Sequence, residues 1–152
     1  MVFKSVEELR TYILSRCEAA VVEVEEKVYR IIDEHLDKFY GEFTPAEYIR
    51  TKQLLHSLVR TGVKQVGTSF VAEVYFDASK LNYQTGVIPL KSGRTGYATW
   101  SGGQVLETAM QSGLPHGGYA GGTAIWGESL TKLGNIYILL VQALEANGIP
   151  VK

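Results

Sequence analysis

A single cysteine, Cys17, stands in the 152-residue chain. It cannot close an internal bridge, so the fold must rest on a hydrophobic core, and a chain of this size buries roughly 70% of its unfolded surface without disulfide or metal. Proline is scarce, with four residues, and none interrupts the stretch from Ser5 to Tyr40. Charge of one sign is also missing. Lys and Arg number 15 against 16 Asp and Glu, a formal net charge of -1, without the basic excess of a nucleic-acid binder. The longest aliphatic run, around Ile136 to Val141, is far short of the about 20 residues that span a bilayer. Met1 to Leu9 lacks the basic segment and apolar run of a secretory leader. These absences read as an intracellular, unprocessed protein of one domain, 1-152, with no membrane and no sequence-specific nucleic acid as partner.

What is present begins with a helical period. From Ser5 to Tyr40, Leu9, Ile13, Cys17, Val21, Val24, Val28, Ile31, His35 or Leu36, and Phe39 recur every three or four residues, which predicts one amphipathic helix. Ser5 followed by Glu8 forms a capping-box pattern, and Gly41 stands at the C-cap position. Such a helix is longer than a small core needs, so part of its stripe is expected to meet a neighbouring subunit. Its charges, five basic against nine acidic, fall mostly off the stripe and read as a solvated face. Thr44, Pro45 and Glu47 repeat the start signal for a short helix. Leu54 to Val66 and Phe70 to Phe76 then read as an antiparallel hairpin around Gly67-Thr68-Ser69. Phe70, Ala72, Val74 and Phe76 share one face, and Asp77 ends the second strand. By period Phe76 and Val28 point inward to one core.

From Gly86 to Gly134 the chain holds 12 of its 16 glycines. Ser101 and Gln104 ahead of Leu106, Ala109 and Met110, with Gly113 as a stop, predict one short helix there. The rest, 82-123, reads as an extended loop or arm, with at least one further strand expected from it. A disordered linker seldom carries so many aromatic residues, and Tyr83, Tyr97, Trp100, Tyr119 and Trp126 are therefore read as contacts with another subunit or a neighbouring protein. The last element, from about Gly127 to Asn147, has Leu130, Leu133, Ile136 or Tyr137, Leu140 and Leu144 at helical spacing, with a bend expected at Gly134-Asn135. The fold class is α+β: a long N-terminal helix packed on a small antiparallel sheet, a glycine-rich arm and a C-terminal helix.

Catalytic patterns are weak. His35, His56, His116 and Cys17 are isolated from one another, unlike the spaced ligands of a zinc site. Gly127-Glu-Ser129 has Thr131 where a nucleophile elbow needs glycine, and no phosphate-cradling glycine loop occurs. Glu73 and Asp77 lie about 13 Å apart if both belong to one strand, so Asp77 reads as a turn cap. Lys80, Lys91 and Arg94 among Tyr83, Tyr97 and Trp100 could serve a nucleic-acid backbone or a protein interface, with scattered solvated charges as the default reading. No cofactor is expected.

Tyr48-Ile-Arg-Thr51 followed by Leu54-Leu-His-Ser57 resembles the segment after the first helix in the head-to-tail joining and tail-completion proteins of tailed phages. Glu73-Val-Tyr-Phe-Asp77, and Ile125-Trp126 entering a helix with Leu130, are similar to further parts of that family. The long segment from Asn82 to Thr123 departs from it, because the family has a shorter Tyr- and Gly-rich stretch there. The resemblance implies a small α+β structural protein of the virion, assembled in the host cytoplasm. It would form a ring with copies of itself, commonly six, between a head connector and a tail tube, without catalysis. The competing class is a small hydrolase using Asp77 and His116 in a loop-formed pocket. A monomeric toxin or ligand-binding module is a third.

Overall fold

A computed structural model describes residues 2-41, 52-81, 86-89, 95-98, 102-111 and 124-151. The expected short helix at Thr44 to Glu47 lies outside them. The protein is α+β, as its sequence predicts. The long helix α1 runs unbroken over Val6–Gly41, 36 residues, or about 54 Å at 1.5 Å per residue. Its start is the expected cap in modified form. The Glu8 amide donates to Ser5 Oγ at 3.1 Å, while the Glu8 carboxylate accepts from the amide of Lys4 rather than that of Ser5.

The expected first strand begins as a helix. Gln53–Ser57 forms one helical turn, α2, with Leu54 and Ser57 buried. The Ser57 hydroxyl donates to the Leu54 carbonyl at 2.7 Å, a local bond that holds the turn closed. A five-residue helix is too short to show a period, which is why branched and polar residues in alternation read as strand. Four short strands follow, β1 Leu58–Arg60, β2 Lys64–Val66, β3 Ser69–Val71 and β4 Val74–Phe76. They form one bent hairpin. β2 pairs antiparallel with β3, Lys64 opposite Val71 and Val66 opposite Ser69. The turn between them is Gly67-Thr68, with Gly67 at φ +62°, and Ser69 belongs to the strand rather than to the turn. β1 neighbours β4, and the backbone bonds from Thr61 to Glu73 and from Asp77 to Ser57 fix the antiparallel sense. Between these ladders the first strand carries one extra residue. Gly62, at φ +71°, takes up the bulge, a backbone state that glycine adopts without a Cβ penalty. Phe70, Ala72, Val74 and Phe76 are half-buried while Val71, Glu73 and Tyr75 face solvent, so the expected face is the inward one.

Within 82-123 the described residues form a second antiparallel hairpin, β5 Gly86–Pro89 with β6 Thr95–Ala98, and the helix α3, Gly102–Gln111. The helix matches the Ser101 signal. The extra strand expected to join the first sheet instead pairs within its own two-stranded ladder.

The predicted C-terminal helix is two helices, α4 Ile125–Leu133 and α5 Ile136–Ala146. Gly134 adopts φ +66°, and the Asn135 side chain accepts from the Tyr137 amide at 2.9 Å, capping a new helix instead of bending the old one. A Cβ at Gly134 would meet nothing within 4 Å, so the cost of Gly134→Ala is conformational alone, about 1 to 2 kcal/mol. Gly127, inside α4, has room for a Cβ at 3.9 Å from that of Ala124. Gly127→Ala is expected to stabilise by about 0.5 to 1 kcal/mol. Opposite shifts of the urea midpoint would verify the pair, and equal shifts would refute it.

The chain divides into two compact units. Unit 1 holds Met1–Tyr29, Arg60–Val74 and Leu133–Lys152, and unit 2 holds Arg30–Val59 and Tyr75–Lys132. The dry core of unit 2 gathers Ile32, Leu36, Leu54 and Ile125, all under 3% exposed, with Ile31, Leu58 and Leu81 around them. Phe76 and Val28, expected to share one core, are half-buried and fall in different units. Among the described residues of unit 1, the buried apolar side chains are Ala20, Leu133 and Ala143.

Candidate functional site

Unit 1 buries little and leaves much apolar surface open. The stripe of α1 that is closed at Ala20 continues toward the helix start through Ile13, Leu9 and Val6, which are 39%, 37% and 83% exposed. α5 reads Ile-Tyr-Ile-Leu-Leu-Val-Gln-Ala-Leu-Glu-Ala, with Glu145 as its one charge. A helix this rich in apolar residues belongs largely in an interior. Yet in α5 Ala143 alone is buried, and Ile136, Tyr137 and Ile138 are 49%, 67% and 49% exposed. The edge of the first hairpin adds exposed Val66 and Val71.

Polar contacts fix the parts of unit 1. The Gly62 amide at the bulge donates to Glu25 Oε1 at 2.7 Å, so a buried carboxylate of α1 meets the orphan donor that the bulge creates. Arg60 pairs with Glu26 at 3.5 Å and lies over the Tyr29 ring. The Asn147 side chain donates to Glu23 across α1 and α5. Alongside that contact is a cavity of about 210 Å³ bounded by Glu23, Val24 and Lys27 of α1 and by Leu139, Gln142, Ala143 and Ala146 of α5.

In unit 2, α4 lies antiparallel to the second half of α1. Lys38 pairs with Glu128 at 2.9 Å, and Lys132 pairs with Glu34. The Lys132 ammonium, hydrogen-bonded to Glu34, holds that carboxyl below the usual carboxylate range. Asp33 goes the other way, pushed up by burial and then by the neighbouring Asp37 and Glu34. A carboxyl raised in the folded state adds stability at pH below its ordinary value of 3.8 and loses that contribution as pH rises through the folded value.

Between the two ion pairs sits a buried polar group. His35 Nδ1 lies 2.8 Å from the Ile31 carbonyl oxygen and 3.0 Å from Ser129 Oγ. A carbonyl only accepts, so Nδ1 carries the proton and forks it between the two oxygens. The other ring nitrogen is 3.9 Å from the Glu128 carboxylate. Serine, histidine and glutamate together suggest a hydrolytic triad, but the roles do not fit. Ser129 Oγ faces the protonated nitrogen, which cannot take its proton, and the residue is 1% exposed. The cluster ties α1 to α4.

Of the aromatic residues singled out in the sequence, Tyr97 and Trp126 are described. Trp126 lies in α4 and is 44% exposed, and Tyr97 lies in β6 opposite Val87. Tyr83, Trp100, Tyr119 and His116 lie outside the described residues. Asp77 caps the short 3-10 turn Ala78–Lys80, its carboxylate accepting from the Ser79 hydroxyl at 2.6 Å and the Ser79 amide at 3.0 Å. These bonds hold it below the usual carboxylate range. No group of three or more His, Cys, Asp and Glu among the described residues could hold a metal ion, and no helix among them is long and apolar enough to cross a membrane.

No family model, curated protein or solved structure matches the chain. Its role is therefore argued from the surface itself. The surplus length of α1 points in the sequence to an open stripe, whereas the exposure of α5 has its signal in the run from Ile136 to Leu144. At helical spacing it leaves no polar face.

Proposed function

We propose that this chain is a structural, ring-forming subunit that joins head to tail in a tailed phage, a tail-completion or terminator-like connector that works by contact rather than catalysis. Its first partners are copies of itself, in a hexameric ring, and its neighbours are the head connector and the tail tube. The observation that carries the reading is α5, a mostly apolar helix with Glu145 as its one charge and Ala143 as its one buried residue. Exposed apolar surface on this scale marks a surface that another protein covers. The resemblance of Tyr48 to Ser57, Glu73 to Asp77 and Ile125 to Leu130 to the joining proteins supplies the kind of assembly.

The test is the mass of the purified chain in solution, alone and after mixing with capsid or tail components, together with particle assembly. Substituting both Trp100 and Tyr119 by Ala is expected to weaken assembly while far-UV circular dichroism and the thermal melt stay unchanged, because buried aromatic anchors carry most of an interface's energy. Particle assembly untouched by that change would remove the two residues from the interface. A hydrolytic activity abolished by Asp77→Asn would replace the structural reading with the enzymatic one.

A further inference from the structure

We propose that the first turns of α1 from one copy seat in the groove between α1 and α5 of the next, so that copies join head to tail. The inference rests on the ring-forming reading above and names its contact. Two unlike apolar patches lie on unit 1. One is the helix start, Val6, Leu9 and Ile13, and the other is the groove, with Val24, Leu139, Ala143 and Ala146 as its floor. A ring needs this pairing of different patches, since a patch that docks on its own copy closes at two subunits.

Charge sets the direction. Glu23 and Lys27 rim the groove on α1, one helical turn apart, about 6 Å along the axis. At the helix start Glu7 and Arg10 flank the stripe on one side, lie 62% to 77% exposed and stand 4.0 Å from each other. They are about 4.5 Å apart along the axis. An incoming helix laid antiparallel to the receiving α1 places Glu7 by Lys27 and Arg10 by Glu23, while Leu9 and Ile13 enter over Leu139 and Ala146. α5 opposes no charge to this approach before Glu145. Glu7 and Lys27 cannot meet within one chain. Twenty residues of continuous helix hold them about 30 Å apart.

The test is sedimentation velocity of the full chain across a concentration series. Leu9→Glu and Ala146→Trp, the first charging the incoming stripe and the second filling the groove, are each expected to leave single chains where the wild type assembles. Each variant keeps one sound patch, so an equimolar mixture is expected to form a species of two chains and stop there. Glu7→Lys and Lys27→Glu, both surface changes, are each expected to weaken association about three- to tenfold. Combined in one chain they are expected to restore it. Far-UV circular dichroism checks the fold throughout. Wild-type assembly that none of the four changes alters, or a charge pair that fails to restore, overturns the contact and leaves the ring reading standing. Assembly lost in Ala146→Trp alone and kept in Leu9→Glu points to α5 docking on α5 and also overturns it. A chain that stays single at every concentration overturns the contact as well, and the particle assay decides the ring reading separately.

Discussion

Leu36→Ala is expected to lower stability by about 3 to 5 kcal/mol. Leu36 is 0% exposed and lies one helical turn from Ile32 at 2%, in the unit that also buries Leu54 at 1% and Ile125 at 0%. Truncation removes the transfer free energy of the side chain and leaves a cavity that a continuous helix cannot move to fill. Urea denaturation followed at 222 nm measures the loss. The control is Val22→Ala on the same helix, where the side chain is 37% exposed and the change is expected to stay within about 0.5 kcal/mol. Equal midpoints for the two variants would place the core elsewhere.

The second large effect concerns His35. His35→Ala is expected to cost about 2 to 4 kcal/mol, because it opens a cavity and strips Ser129 Oγ, 1% exposed, of the N–H that reaches it at 3.0 Å. Ser129→Ala alone is expected to cost about 1 kcal/mol, since the Nδ1 proton keeps the Ile31 carbonyl as its second acceptor. The two are coupled, so the double variant is expected to cost less than the sum of the singles by about 1 kcal/mol or more. Strict additivity in that cycle would mean that the two side chains do not share the proton.

The elements legible in the sequence are those whose signals are local. α1 announced itself by a stripe repeated over ten turns and by the Ser5 cap, α3 by Ser101 ahead of Leu106, and the hairpin by Gly67. The break at Gly134 was visible as a weakness, but a bend and a full stop differ only in the sign of one φ angle, and that is settled by whether Asn135 finds an amide to cap. α2 escaped because one turn has no period. The bulge at Gly62 escaped for another reason. Its stability depends on Glu25, 37 residues away, and nothing near Gly62 in the chain foretells a carboxylate there. The same holds for the pairing of His35 with Ser129. The surplus length of α1 already pointed to an open stripe, whereas the exposure of α5 is legible only when burial is set against hydrophobicity, residue by residue.

Some partners of α1 come late in the chain. His35 waits for Ser129, 94 residues on, and Glu23 waits for Asn147, 124 residues on. Synthesis at about 5 to 20 residues per second makes these late contacts wait roughly 5 to 25 s after their α1 residues are made. The first hairpin can close early, its strands being neighbours, and it brings Gly62 to Glu25 and Arg60 to Glu26, but the contacts of α1 with α4 and α5 must wait through that interval. Contacts this distant in sequence also slow the closing step itself. The yield of folded chains is thus expected to follow a race between synthesis of α4 and α5 and the pairing of half-made helices, and to fall as translation slows, however stable the finished fold.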